Sequence, residues 1–490
     1  MKKAFGWGVA TAAFALILGA SAFDVATAQE AKKAKNVILF IGDGMGFNSD
    51  ILGTYWRYGE ADAQSYHKFP VKLGAATFCV KEEYDPKKDD GYPVGKIWEG
   101  PESAMHRLQD NCPTTDSAAS GTAINTGVKT QSGRVGFSKD GKKLENFADM
   151  NYRAGRSVGV VTTVQISHAT PATTSAHNMS RGNYEEISKE QINDLPLTVL
   201  FGAGHPAYNR GAKINKKPED LNYQFVGGRE VWEAVSKDEG YKGWKFIDER
   251  EKFAELAKMT PDTNPTDLPK KILGIGRDNG DMLPIDGFAD DESFVQERYS
   301  KEALANTPTL TDMTLGALNV LAQNDKGFYL MVEGGAIDHA NHGRNAQNSA
   351  LEHASFSKAI DAAIAWVEKY SSWDDTIMII TSDHETGCIW GPGTFEDMDE
   401  NGKFDPKKDE FNEFEELEES DIGECPEVQY LSSGHSHWLV PVYAKGQGVE
   451  SVKEFIRGND EEAADMWDFS GDFIYNTDIF NLMKAASGLK

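Results

Sequence analysis

The chain has 490 residues and 40% of them are hydrophobic, enough for a substantial core in one large α/β domain with insertions. Its net charge of −27 argues against nucleic acid or an anionic membrane surface as a partner. Beyond residues 1–28 no stretch is long and apolar enough to cross a bilayer, so no membrane span is expected in the mature chain.

Residues 1–28 read as a secretory signal. Lys2 and Lys3 form its charged start, Ala10 to Gly19 its apolar run, and Ala26-Thr27-Ala28 its cleavage box. A membrane anchor would need a longer apolar span. The mature protein, residues 29–490, is therefore expected to be exported, to the periplasm or outside the cell. Four cysteines, Cys79, Cys112, Cys388 and Cys425, suit disulfides in an oxidising compartment. Three pairings are open, and the local loops Cys79–Cys112 and Cys388–Cys425 are the simplest. A thiolate zinc site competes, but no C-x-x-C spacing supports it.

Asn36 to Ile41 is a short, unbroken apolar run, as a strand buried on both faces would be, and it ends in Gly42-Asp43-Gly44-Met45-Gly46. The pattern recurs. Ser157 to Thr162 leads to Ser167-His168-Ala169-Thr170-Pro171, Phe328 to Val332 to Glu333-Gly334-Gly335, and Thr376 to Thr381 to Ser382-Asp383-His384-Glu385. Four apolar strands deliver polar residues at the same end, where open α/β sheets place their sites. Helical patterns separate them, including Leu310 to Gln323 and Gln347 to Lys369. The predicted fold is a three-layer α/β sandwich around a large, mostly parallel central sheet. Two loop-rich insertions are expected, at about 206–290 and 391–424. No solenoid repeat is present, although Asp-Pro-Lys-Lys-Asp occurs at Asp85 to Asp89 and again at Asp405 to Asp409.

Between the first two of these strands lies Pro113-Thr114-Thr115-Asp116-Ser117-Ala118-Ala119-Ser120-Gly121, whose small residues suit a tightly packed helix start. A serine there presents its hydroxyl beside free backbone N–H groups, the natural place for an anion. On its own the segment reads equally as an ordinary N-cap. Its partners elsewhere change that. Asp338 and His342 are four apart, so on a helix both face one ion. Glu333 lies upstream at a strand edge, Asp383 and His384 are adjacent at another, and His435 precedes the apolar run Trp438 to Ala444. Together with Asp43 these make mixed oxygen and nitrogen sets that suit zinc.

With these motifs the chain resembles the alkaline phosphatases, from Asn36 to the carboxyl terminus. Ser180-Arg181, the run Glu333 to His342, Ser382 to Gly387 and the tail Asn476 to Phe480 carry the resemblance further. It implies an exported phosphomonoesterase that hydrolyses small-molecule phosphate monoesters through a covalent phosphoserine. By the same resemblance Ser117 is the nucleophile and Arg181 clamps phosphate. Asp338, His342 and His435 would hold one zinc, Asp43, Asp383 and His384 a second, and Asp43, Thr170 and Glu333 a magnesium. His437 is the fallback for His435. Asp116, His168 and His339 would support the site from behind. One well-known bacterial form of the family has Asp and Lys where this chain has His168 and His339, as animal and several cold-environment bacterial enzymes do. An imidazole near the third metal position lets zinc replace magnesium there. Many relatives are dimers, so a homodimer is within the expectation.

Asp397, Asp399 and Asn401 resemble the start of a calcium loop, but Lys408 stands where a bidentate Glu is needed, so a solvated acidic loop competes. A phosphodiesterase or sulfatase of the same superfamily is the enzyme rival, and a non-catalytic phosphate-binding protein the rival of another class.

Overall fold

The computed structural model describes residues 32–81, 91–105, 112–195, 197–237, 240–263, 267–281, 301–396 and 410–490. The secretory signal, both copies of Asp-Pro-Lys-Lys-Asp and the calcium-like loop at Asp397, Asp399 and Asn401 lie outside the described residues. Residues 33–490 form one compact unit.

In chain order the strands are β1 (Asn36–Gly42), β2 (Val71–Ala76), β3 (Ser157–Gln165), β4 (Val199–Ala203), β5 (Lys245–Ile247), β6 (Ile272–Ile275), β7 (Phe328–Gly334) and β8 (Thr376–Thr381). Six two-residue strands follow: β9 (Glu385–Thr386), β10 (Ile389–Trp390), β11 (Phe395–Glu396), β12 (Glu410–Phe411), β13 (Gln429–Tyr430) and β14 (His435–Ser436). The last are β15 (Val440–Gly446), β16 (Gly458–Asn459) and β17 (Asp472–Tyr475). Eleven of them make one sheet in the order β16-β17-β2-β15-β8-β1-β7-β3-β4-β6-β5. Within it, only the pairings made by β15 and β16 are antiparallel.

The four apolar runs singled out in the sequence are four parallel neighbours, β8, β1, β7 and β3, at the centre of this sheet. Their side chains alternate between two cores. Val37, Leu39, Val158, Met331 and Ile379 face one layer, with Phe147, Ile479 and Met483 from its helices. Ile38, Phe40, Leu330, Val332 and Ile380 face the other, with Leu318, Phe356 and Ile360. That double burial is why the strands read as unbroken apolar runs. At about 1.5–3 kcal/mol for each fully buried large aliphatic side chain, it fixes the strand ends that carry the site.

The expected helices appear as Leu310–Leu321 and Ala346–Tyr370. The stretch 206–290 is more ordered than its weak periodicity suggests. Its described part includes β5, β6 and the helices Gly228–Lys237 and Arg250–Lys258, so it extends the parallel sheet at one edge. The described part of 391–424 is mostly loop, closed by the short antiparallel pair β11 and β12.

The expected Cys79–Cys112 and Cys388–Cys425 bridges are not formed, because no disulfide joins the four cysteines. Cys79 Sγ instead turns to the carbonyls of Pro113 and Thr114, at 3.6 and 3.4 Å. Cys388 and Cys425 pack into different apolar clusters, and Cys388 Sγ accepts the Trp438 indole N–H at 3.3 Å.

Candidate active site

Each central strand ends in a residue aimed at one place. β1 ends at Gly42, which puts Asp43 at the sheet edge. In register, Ile41 pairs with Glu333 on β7 and with Thr381 on β8, and Thr162 on β3 pairs with Glu333. The turn after β1 needs glycine at position 44, where φ is 74° and an added Cβ would lie 2.7 Å from Asp338 Cα. This close approach lets Gly44 N donate to Asp383 Oδ1 at 3.2 Å and sets the β1 and β8 loops against the helix Ala336–His342.

Ser117 opens the helix Ser117–Thr126, and Asp116 is its N-cap, accepting from Ala119 N at 3.0 Å. Asp116 also accepts from Gly133 N and from Arg181 Nη1 at 3.0 Å, so one carboxylate fixes both the helix start and the guanidinium. Burial acts to raise Asp116, but the Arg181 charge and these donors hold it below the usual carboxylate range. Ser117 Oγ lies 3.2 Å from His384 Nε2.

Among the described residues three groups of ligand atoms each converge to within 4.8 Å, the first two through His384: Asp338, His384 and His435; Asp43, Asp383 and His384; Asp43, His168 and Glu333. His342 joins the first, its Nε2 lying 3.3 Å from Asp338 Oδ2 and 3.2 Å from His435 Nε2. Thr170 joins the third by donating to Asp43 Oδ2 at 3.1 Å. Backbone carbonyls occupy the other ring nitrogens, Ser433 O on His342 Nδ1 and Thr115 O on His435 Nδ1, which leaves both Nε2 atoms facing Asp338.

The electrostatics show what this cluster lacks. Asp43 Oδ1, Glu333 Oε1, Asp383 Oδ2 and His168 Nδ1 are buried without a hydrogen-bond partner. Burial and the Asp338 charge push Asp383 up to about 8, and burial with their neighbouring carboxylates raises Asp43 and Glu333 well above normal. Burial takes His384 well below the ordinary imidazole value, and burial with the Arg181 charge brings His168 to about 3. Neutral imidazoles beside carboxylates that lack counter-charge are the donor set of divalent cations, so zinc and magnesium fit the residues present. Asp338 differs: burial works to raise it, but His342 and His435 hold it well below normal.

Every metal ligand singled out from the sequence lies in these groups or against them, the fallback His437 excepted. His437 belongs to none of the three, its backbone N donating to Ala104 O at 2.8 Å. Its ring is buried beside Lys129 and brought down to about 4. His339 faces His168 edge-on, with ring centroids 5.5 Å apart. Three contributors carried no signal of their own in the sequence. Thr386 donates to Asp338 Oδ1 at 2.7 Å, Thr162 donates to Glu333, and Asp281 lies 2.9 Å from His339 Nδ1. Threonines inside strands and an aspartate inside a polar insertion look like many others.

Residues 99–489 match the family model described as alkaline phosphatase. The chain is 30% identical to alkaline phosphatase 4 of Bacillus subtilis (strain 168), over 73% of this chain and 63% of that protein. It is 27% identical to the human tissue-nonspecific alkaline phosphatase, over 73% of this chain and 64% of that protein. These matches span less than two thirds of the relatives' own length. Among solved structures, the alkaline phosphatase of the Antarctic bacterium TAB5 superposes with a TM-score of 0.59 at 22% identity, covering 94% of this chain and 100% of that one. The Thermus thermophilus enzyme superposes with a TM-score of 0.60 at 21% identity, covering 94% and 92%. Both share the fold.

Proposed function

The chain belongs to the alkaline phosphatase family, and from that premise we propose that it is a metal-dependent phosphomonoesterase acting through a phosphoserine on Ser117. The observation that carries this reading is the Ser117 hydroxyl at a helix N-terminus, 3.2 Å from His384, which belongs to two of the three convergent ligand groups. In this reading Asp338, His342 and His435 hold one zinc and Asp43, Asp383 and His384 the other. Asp43, Thr170 and Glu333 hold magnesium. Bound there, the cations supply Lewis acidity that lowers the serine hydroxyl's pKa and offsets charge on the leaving oxygen.

The chain's own groups do the rest. Arg181, fixed by Asp116, donates two parallel bonds to the phosphoryl oxygens, a geometry that lysine lacks. Backbone N–H groups at the start of the helix Ser117–Thr126 add to that anion site. Ser117 Oγ forms the new P–O bond as the bond to the alcohol oxygen breaks, and that oxygen leaves with the electron pair. Water then attacks the phosphoserine, releasing inorganic phosphate and restoring the serine. The same reading places the mature chain outside the cytoplasm once residues 1–28 are removed. No helix among the described residues is long and apolar enough to cross a membrane.

Chelation tests the metal dependence in two ways. Hydrolysis of an aryl phosphate should vanish with chelator and return with zinc; turnover that survives exhaustive chelation contradicts the reading. Stability should respond with a definite sign. In the metal-free chain Asp383 is raised to about 8. Its contribution to stability is therefore present below the ordinary carboxylate pKa, about 3.9, and is lost as pH rises through about 8. Thermal melts of the chelated protein should weaken across that window, and zinc should stabilise more at its alkaline end. Melts independent of pH there would oppose the assignment of Asp383.

His168 decides the ion at the third group, since its imidazole offers zinc a nitrogen beside the oxygens of Asp43 and Glu333. A variant of the TAB5 enzyme with a histidine replaced by aspartate has magnesium bound in its M3 site. Accordingly His168→Asp should increase magnesium per chain and strengthen magnesium activation. Identical metal content and response in the two proteins would remove His168 from this role.

A further inference from the structure

The stretch 206–290 carries none of the motifs quoted for the resemblance, yet its described part reaches the site. A cleft of about 590 Å3 is lined by His168, His339 and His342 together with Arg210, Asn279 and Asp281 of this stretch. The Asp281 side chain is only 3% exposed. Its Oδ1 lies 2.9 Å from His339 Nδ1, and its Oδ2 accepts from Arg210 Nη2. A carboxylate buried this far is costly unless its oxygens are engaged, and here one is engaged by the helix that carries Asp338 and the other by the insertion.

His339 follows Asp338 on that helix, so its backbone is held by the metal-ligand motif while its ring is not. The Asp281 carboxylate meets Nδ1 as an ion-pair contact and not as an aligned hydrogen bond, and Nε2, on the far side of the ring, is the nitrogen this contact leaves uncovered. The edge-on contact with His168, at 5.5 Å, leaves this orientation little freedom.

We propose that Asp281 is a positioning residue: by holding His339 Nδ1 it aims Nε2 at an oxygen of the bound phosphoryl group, so that the insertion completes the anion site. The proposal rests on the phosphomonoesterase reading.

Inorganic phosphate binding to the zinc-loaded protein, followed by calorimetry, is the first readout, and KM and kcat for an aryl phosphate the second. Asp281→Asn should weaken phosphate about tenfold and raise KM by a similar factor, because misaiming one group costs on this scale. Metal per chain should stay unchanged, and Asp281→Glu should recover most of the loss. In a His339→Ala background Asp281→Asn should add less than about twofold, since its effect passes through that ring. Unchanged phosphate affinity in Asp281→Asn, or a full tenfold loss persisting in the His339→Ala background, overturns the proposal. If the parent binds phosphate but hydrolyses no monoester, the phosphomonoesterase reading fails while the binding arm still decides Asp281.

Discussion

Ser117→Ala should lower turnover by at least about 10^4-fold, the scale on which removing an attacking nucleophile acts, while fold and metal content stay those of the parent. In the proposed mechanism the hydroxyl supplies the attacking oxygen, and it contributes little packing. Its side-chain contact is His384 Nε2 at 3.2 Å. The cap of the helix is Asp116, which keeps its bonds to Ala119 N, Gly133 N and Arg181 without the serine oxygen. The variant should therefore still bind zinc and inorganic phosphate but trap no labelled phosphate on the protein. Turnover within about tenfold of the parent, or label recovered on another residue, would remove Ser117 from the mechanism.

Asp50→Ala should cost about 3–5 kcal/mol of stability, the scale for stripping one partner from a buried charge network. Asp50 is 1% exposed on the helix Phe47–Tyr58, directly after the loop that holds Asp43. Its oxygens accept from Tyr66 at 2.6 Å and Tyr443 at 2.8 Å, and they contact His353 at 2.8 Å and His67 at 3.0 Å. Removing them leaves four polar groups facing one void, and the packing cannot close it cheaply. At Gly53, one turn on, even a Cβ would lie 2.1 Å from His353 Nδ1. Burial works to raise Asp50, but His67 and His353 override it and hold the carboxyl well below normal. Its contribution is therefore present above the ordinary carboxylate pKa and lost as pH falls through the lower folded value. Denaturant melts at pH 7 should show the loss, and it should shrink in acid. A difference under about 1 kcal/mol at pH 7 would mean the network carries no such weight.

The central sheet was legible because β1, β3, β7 and β8 are buried on both faces, and double burial writes itself as an unbroken apolar run. The convergence of the candidate ligand groups was legible for a related reason: a strand that ends at the site places its polar residue at the run's end, as the positions of Asp43, Glu333 and Asp383 show. The resemblance to alkaline phosphatases then assigned roles that spacing alone left open, such as His435 over His437. What escaped was information held only in three dimensions. β5 and β6 are short strands at one end of the sheet, three and four residues long, in a stretch dominated by charge. Asp281 gains meaning only when the chain returns to His339, and Thr386 only when β9 pairs with β14 beside Asp338. The cysteines misled for the opposite reason. Local spacing favoured bridges, but packing put Cys388 among tryptophans and Cys425 in another cluster.

The most direct measurement is the relative rate at which the zinc- and magnesium-loaded protein cleaves an aryl phosphate monoester and the matching diester. The monoester should be cleaved far faster, because in the proposed reading Ser117, Arg181 and the third ligand group act together on a phosphoryl group with one ester bond. A diester cleaved as fast or faster, or no cleavage of either by fully loaded protein, would contradict the account.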